Sequence, residues 1–77
     1  MSKVTLPELG EGIDRATLAF WHTKVGDRVQ EGDDIVELVT DKATFNVPAN
    51  ESGVIRKINF SEGQEVKIGE VLAVIDA

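Results

Sequence analysis

Cysteine is absent from this 77-residue chain, so neither a disulfide framework nor a thiolate zinc site can staple it. Aromatic residues are limited to Phe20, Trp21, Phe45 and Phe60. The core must therefore be aliphatic, built on Val, Ile and Leu, and a hydrophobic fraction of 42% is enough to supply it. Basic residues are in deficit, eight against fourteen acidic ones, for a formal charge of −6. Such a surface repels phosphate backbones and anionic membranes, and no basic patch offsets it, so neither nucleic acid nor a membrane is expected as a partner. No apolar run approaches the length of a membrane-spanning helix. The opening Met1-Ser2-Lys3-Val4 lacks the apolar core of a signal peptide and runs straight into a strand-like segment. With one histidine and no recognisable nucleophile–base pair, no catalytic constellation is expected. What remains is one small domain, spanning residues 1–77, near the lower size limit for independent stability.

The chain repeats itself. Gly26-Asp27-Arg28-Val29-Gln30-Glu31-Gly32-Asp33 recurs 37 residues later as Gly63-Gln64-Glu65-Val66-Lys67-Ile68-Gly69-Glu70. Each copy is Gly-x-x-Val-x-x-Gly followed by an acid. Ile35, Val36 and Leu38 map onto Leu72, Ala73 and Ile75; Leu18 maps onto Ile55 and Trp21 onto Ile58. Two copies are too few for a solenoid. They fit a pseudo-twofold fold whose halves bury their apolar faces against each other.

Each half reads as β-structure. Ala16, Leu18 and Phe20 alternate with Thr17, Ala19 and Trp21, and Phe45 and Val47 alternate with Thr44, Asn46 and Pro48. Further strands are expected over residues 3–6, 34–40, 53–58 and 71–76, with two short pieces around Val29 and Val66. The paired glycines mark turns needing positive φ. No window carries a capped helical stripe. Eight short strands in two related sets predict an all-β flattened barrel or sandwich of two four-stranded antiparallel sheets with pseudo-twofold symmetry.

Within this frame Asp41 and Lys42 form the reversal between the fourth and fifth strands. Under the repeat, that position corresponds to the junction of the two termini. A twofold axis then sets the Lys42 hairpin at the opposite end from both. A tight hairpin normally favours Asn-Gly or Asp-Gly, yet this one has lysine at its tip. Other features have ordinary readings. Gly10-Glu11-Gly12 has an acid between its glycines and no following helix, so it reads as a loop rather than a phosphate cradle. His22 reads as a strand-end surface histidine, and Trp21 as a partly exposed sheet residue. Glu31, Asp33 and Asp34 lack the spacing of a calcium loop; no metal site is expected.

Thr40-Asp41-Lys42-Ala43, with Gly32-Asp33 before it and Val47-Pro48-Ala49 and Gly53-Val54-Ile55 after it, resembles a lipoyl domain of the biotinyl/lipoyl family. The opening Leu6-Pro7-Glu8-Leu9-Gly10-Glu11-Gly12-Ile13 is similar to the start of such domains in the dihydrolipoamide acyltransferase component of 2-oxo acid dehydrogenase complexes. The resemblance runs from Val4 to Ile75. It implies a swinging-arm carrier that is not itself an enzyme, although a longer parent chain would be the acyltransferase, with this domain excised from its amino terminus. Lipoic acid would be joined to the Lys42 amine as an amide by a lipoate ligase or lipoyl transferase. Lysine is mostly protonated at neutral pH, so the ligase must supply the base. The dithiolane would be reductively acylated by a thiamine-diphosphate-dependent 2-oxo acid decarboxylase. It would pass the acyl group to coenzyme A and be reoxidised by dihydrolipoamide dehydrogenase.

The resemblance also implies roles around the lysine. Thr40, Asp41 and Ala43 frame Lys42 for the modifying enzyme. The loop Glu8, Leu9, Gly10, Glu11, Gly12, continuing to Asp14, is expected near the lysine tip, where it helps partner enzymes choose their domain. Val39 is a departure, since relatives usually carry Glu there. The Leu9-Gly10-Glu11-Gly12-Ile13 run leans toward pyruvate or branched-chain complexes. The implied location is a bacterial cytoplasm, or the mitochondrial matrix for a processed eukaryotic fragment. Two rivals stand beside this reading. A biotin carrier shares the fold but flanks its lysine with methionines, whereas here the flanks are Asp41 and Ala43 and Met1 is the only methionine. An unmodified adaptor module of the same fold is separated only by testing for modification. The lipoylated glycine cleavage H protein is longer and carries extra helices.

Overall fold

The computed structural model describes all 77 residues and contains eight strands. They are β1 (Ser2–Thr5), β2 (Arg15–Trp21), β3 (Arg28–Val29), β4 (Asp34–Val39), β5 (Thr44–Pro48), β6 (Gly53–Ile58), β7 (Glu65–Lys67) and β8 (Val71–Asp76). One antiparallel sheet runs β1-β8-β6-β3 and the other β5-β4-β2-β7. Advancing every strand by half the set, β1 to β5, β8 to β4, β6 to β2 and β3 to β7, turns the first order into the second. The sequence repeat is thus an operation on the whole architecture.

The equivalence extends to individual hydrogen bonds. Gly26 N–H donates to Ile55 O at 2.8 Å and Ile55 N–H to Asp27 O at 2.9 Å. Thirty-seven residues away, Gly63 N–H donates to Leu18 O and Leu18 N–H to Gln64 O, both at 2.8 Å. Turn side chains obey the same rule. Asp27 and Asp33 accept from the backbone N–H groups of Lys24 and Gln30, while Gln64 and Glu70 accept from those of Ser61 and Lys67. Gly26 and Gly63 have φ of 97° and 90°, Gly32 and Gly69 94° and 89°. A Cβ is strongly disfavoured in that region, which is why glycine recurs at these positions in both copies.

The facing sheets enclose an aliphatic core that includes Val4, Leu6, Leu18, Val29, Ile35, Val36, Leu38, Val47, Ile55, Val66, Leu72 and Ile75. No polar or charged residue is buried in it. Gly53 is also buried: a Cβ there would overlap the Asp76 carbonyl oxygen and come within 2.8 Å of its carbonyl carbon. Glycine at 53 therefore serves close backbone approach rather than a special φ.

Phe20 departs from the expected alternation, and Phe45 keeps its face but not full burial. Phe20 is exposed (39%) instead of facing the core with Leu18. The cause is a bulge: Leu18 pairs with Leu38, but Phe20 pairs with Glu37 and Trp21 with Val36, so Ala19 is an extra residue that swaps the faces. Trp21 thereby packs against the core and donates its Nε1–H to Phe60 O at 2.9 Å. The other half has the same bulge, with Ile55 opposite Ile75 and Lys57 opposite Val74, leaving Arg56 as the extra residue. Phe45 is half-buried on edge strand β5, opposite Leu38, and only Val47 of that strand's alternating pair is fully enclosed.

Candidate functional site

Strand β4 ends one residue earlier than expected because Thr40 leaves the ladder to build the turn. Its N–H donates to Ala43 O at 2.8 Å, and its hydroxyl donates to the same oxygen at 3.2 Å. The hydroxyl oxygen in turn accepts the N–H of Lys42 at 3.2 Å and of Ala43 at 3.1 Å. In a tight turn the N–H of the fourth residue usually bonds the first residue's carbonyl; here the Thr40 hydroxyl receives it. No residue other than glycine has positive φ anywhere in the chain. The tip is therefore not one of the primed hairpin turns that demand Asn or Gly, and Asp41-Lys42 sits there without strain.

Asp41, Lys42 and Ala43 are all exposed. None of the three ion pairs in the molecule involves Lys42, and its side chain makes no hydrogen bond. A primary amine held at an exposed turn without positive φ is chemically suited to acylation by an external enzyme.

Below the tip lies an open groove of about 660 Å³. One wall is Gly12, Ile13, Asp14 and Arg15 from the β1–β2 connection and the start of β2; the other includes Val39, Thr40, Asp41 and Lys42. Arg15 bridges Asp14 at 3.6 Å and Glu65 at 3.4 Å, which leaves Lys42 as the unpaired cation of the groove. The anticipated recognition loop divides in two. Gly12 shares the groove with Lys42, as do Ile13 and Asp14 beyond it, whereas Glu8, Leu9, Gly10 and Glu11 do not line it. Leu9 instead packs against the core, and the Gly10 carbonyl accepts the Ile13 N–H at 3.2 Å, folding the loop back on itself.

The internal repeat independently marks this end of the molecule. The connection between β1 and β2 is nine residues (6–14), while its counterpart between β5 and β6 is four (49–52). The longer copy is the one that borders the lysine. Counting the two connections was open to sequence reasoning and would have picked out the loop without any family knowledge. Glu65 and Ala19 carried no such signal, because the first arrives from β7, 50 residues from Arg15, and the second through the bulge.

The family described as "Biotin-requiring enzyme", the biotin/lipoyl family, matches residues 2–75. The chain belongs to the biotin/lipoyl family. Among curated relatives of this biotin/lipoyl domain is the dihydrolipoyllysine-residue succinyltransferase component of the 2-oxoglutarate dehydrogenase complex of Staphylococcus saprophyticus. It is 43% identical over 97% of the chain, which corresponds to 18% of the relative. The dihydrolipoyllysine-residue acetyltransferase component of the pyruvate dehydrogenase complex of Acholeplasma laidlawii is 36% identical over 99% of the chain and 14% of the relative. The chain thus spans less than a fifth of the length of either.

Among solved structures, the lipoyl domain of the 2-oxoglutarate dehydrogenase complex from Azotobacter vinelandii superposes with a TM-score of 0.80. It is 35% identical, with 100% of this chain and 98% of that one covered. Kluyveromyces lactis urea carboxylase superposes with a TM-score of 0.83 at 25% identity, over 97% of this chain and 6% of that one. The two curated relatives come from 2-oxoglutarate and pyruvate complexes, so the similarity does not single out one acid.

Proposed function

We propose that this biotin/lipoyl domain is a swinging-arm carrier whose lipoic acid is amide-linked to Lys42. It would shuttle acyl groups and electrons within a 2-oxo acid dehydrogenase complex, as part of an acyltransferase chain. The observation that carries the reading is the Lys42 amine itself: exposed, unpaired, and fixed at a turn whose backbone is held by Thr40. The lipoyl-bearing relatives and the full-length match to a solved lipoyl domain support it.

The residues fit the group. Modification requires the neutral amine to attack an activated lipoyl carbonyl, losing a proton and expelling the activating group. No side chain of the domain is placed to take that proton, so the modifying ligase supplies the base. Thr40 orients the tip, and the small Ala43 leaves room for a ligase to close around it. Amide formation removes one positive charge and takes the domain from −6 to about −7. When bound, the group supplies a dithiolane able to accept an acyl group and electrons. The domain's part is to hold that dithiolane at high effective concentration near each partner's active site. The Gly12–Asp14 wall beside the lysine is the surface a decarboxylase would read, with dihydrolipoamide dehydrogenase as the later partner. The urea carboxylase likeness keeps a biotin carrier as the second reading.

The test is to lipoylate the domain and incubate it with separate 2-oxo acid decarboxylases and labelled pyruvate, 2-oxoglutarate or branched-chain 2-oxo acids. Label appearing on the domain with one pair, and none with Lys42→Ala, is the expected result. A lipoylated domain that takes up no label from any pair would overturn the carrier role.

A further inference from the structure

We propose that the apolar floor of the groove beneath the turn is the resting site of the lipoyl arm carried by Lys42; this rests on the carrier reading above. The outer face of the β5-β4-β2-β7 sheet carries a transverse row just below the tip: Thr44, Val39, Thr17 and Glu65, paired strand to strand. All four are exposed, and Val39 is the one apolar member, at 38% exposure. A single exposed valine needs no explanation. Its setting does: Val39, Ile13 and Ala19 line the same groove, beside the core residue Ala16, and none of the three is among the fully buried core residues. Exposed Val39 and half-buried Ile13 and Ala19 thus line a concavity that also includes the attachment lysine.

Reach and tethering select the occupant. Val39 precedes Lys42 by three residues, which is at most about 10 Å along the chain. The lysine side chain and the pentanoyl chain of a lipoyl group, joined in series, exceed that length. The arm can therefore fold back over Val39 with its hydrocarbon on the floor. The rim of Asp14, Arg15, Asp41 and Glu65 stays wet. Attachment has already removed the arm's translational freedom, so settling there costs only the ordering of its own torsions. Arg15 pairs with Asp14 and Glu65 on the opposite wall. The floor is small, so the arm rests reversibly and is released when a partner covers the groove. Val39 acts as a positioning residue for the arm.

The experiment compares amide spectra of the unmodified and lipoylated domain, with modification established beforehand by intact mass. A resting arm shifts the amides of Ile13, Thr17, Ala19 and Val39 as well as those of Asp41 to Ala43, and gives nuclear Overhauser contacts between arm methylenes and Val39 methyls. Val39→Glu, and the near-isosteric Val39→Thr as a fold-preserving second variant, should lose the distant shifts at Ile13, Thr17 and Ala19 while still accepting lipoate. Shifts confined to Asp41–Ala43, or a full set persisting in both variants, would overturn the resting site and leave the carrier reading intact. No adduct on the parent domain would instead overturn the carrier reading, and the proposed occupant with it.

Discussion

Replacing Thr40 by Val removes a hydroxyl that makes three bonds while keeping the side chain's volume. Two of those bonds are accepted from Lys42 and Ala43 N–H at 3.2 and 3.1 Å, and one is donated to Ala43 O at 3.2 Å. A typical intramolecular hydrogen bond contributes about 0.5–1.5 kcal/mol net. All three are at the long end of the range, and the turn is exposed, so water takes over much of what is lost. The Thr40 N–H bond to Ala43 O survives the change. The expected cost is therefore about 1 kcal/mol in total, well below the sum of three ordinary bonds. In a domain of this size that lowers the melting temperature by roughly 4–8 °C. Urea denaturation should show the same loss as a shifted midpoint at constant slope. Amide exchange should accelerate at Lys42 and Ala43 and stay unchanged in the core strands. Thr40→Ser keeps the hydroxyl and should recover most of the difference. If Thr40→Val left both the midpoint and the exchange at Lys42 unaltered, the hydroxyl would not be what holds the tip.

The core and the tip should differ in their sensitivity to truncation. Leu38→Ala, at a fully buried site, is expected to cost about 2–5 kcal/mol in urea denaturation, whereas half-buried Phe45→Ala should cost less, about 1–2 kcal/mol; equal losses would contradict the edge placement of Phe45. Gly53→Ala should destabilise by about 1–3 kcal/mol, because the new methyl meets the Asp76 backbone rather than a flexible side chain, and an unchanged melting temperature would refute that packing. Lys42→Ala should alter stability by no more than about 0.5 kcal/mol, since the side chain is exposed and makes no ion pair or hydrogen bond; a large drop would show that the tip is structural.

The architecture was legible because it is written twice. The Gly-x-x-Val-x-x-Gly pairs put the same turns and the same buried valines, Val29 and Val66, in both halves, and each local inference was checked by its copy. Phe20 escaped because strict alternation carries no sign of a bulge. Only the pairing of Phe20 with Glu37 reveals that Ala19 is inserted. Phe45 is less buried than its alternation implies for a different reason: periodicity gives the face a residue points to, but not whether its strand lies at an edge. At the site, Lys42 stood out from its flanks. The groove did not, because Glu65 and Arg15 meet only after the two sheets form. The turn's unusual residues found a physical explanation in the Thr40 hydroxyl, which closes the reversal without a positive φ.

The central claim is that the amine of Lys42 is the point of attachment for a lipoyl arm. The measurement that tests it most directly is intact mass after incubation with a lipoate ligase, lipoate and ATP, run on the parent chain and on Lys42→Ala. One lipoyl adduct on the parent and none on the variant is the predicted result. A folded parent that stays unmodified, or a Lys42→Ala chain that is modified equally, would contradict it; a single adduct obtained only with biotin ligase and biotin would assign the same lysine to the biotin branch of the family.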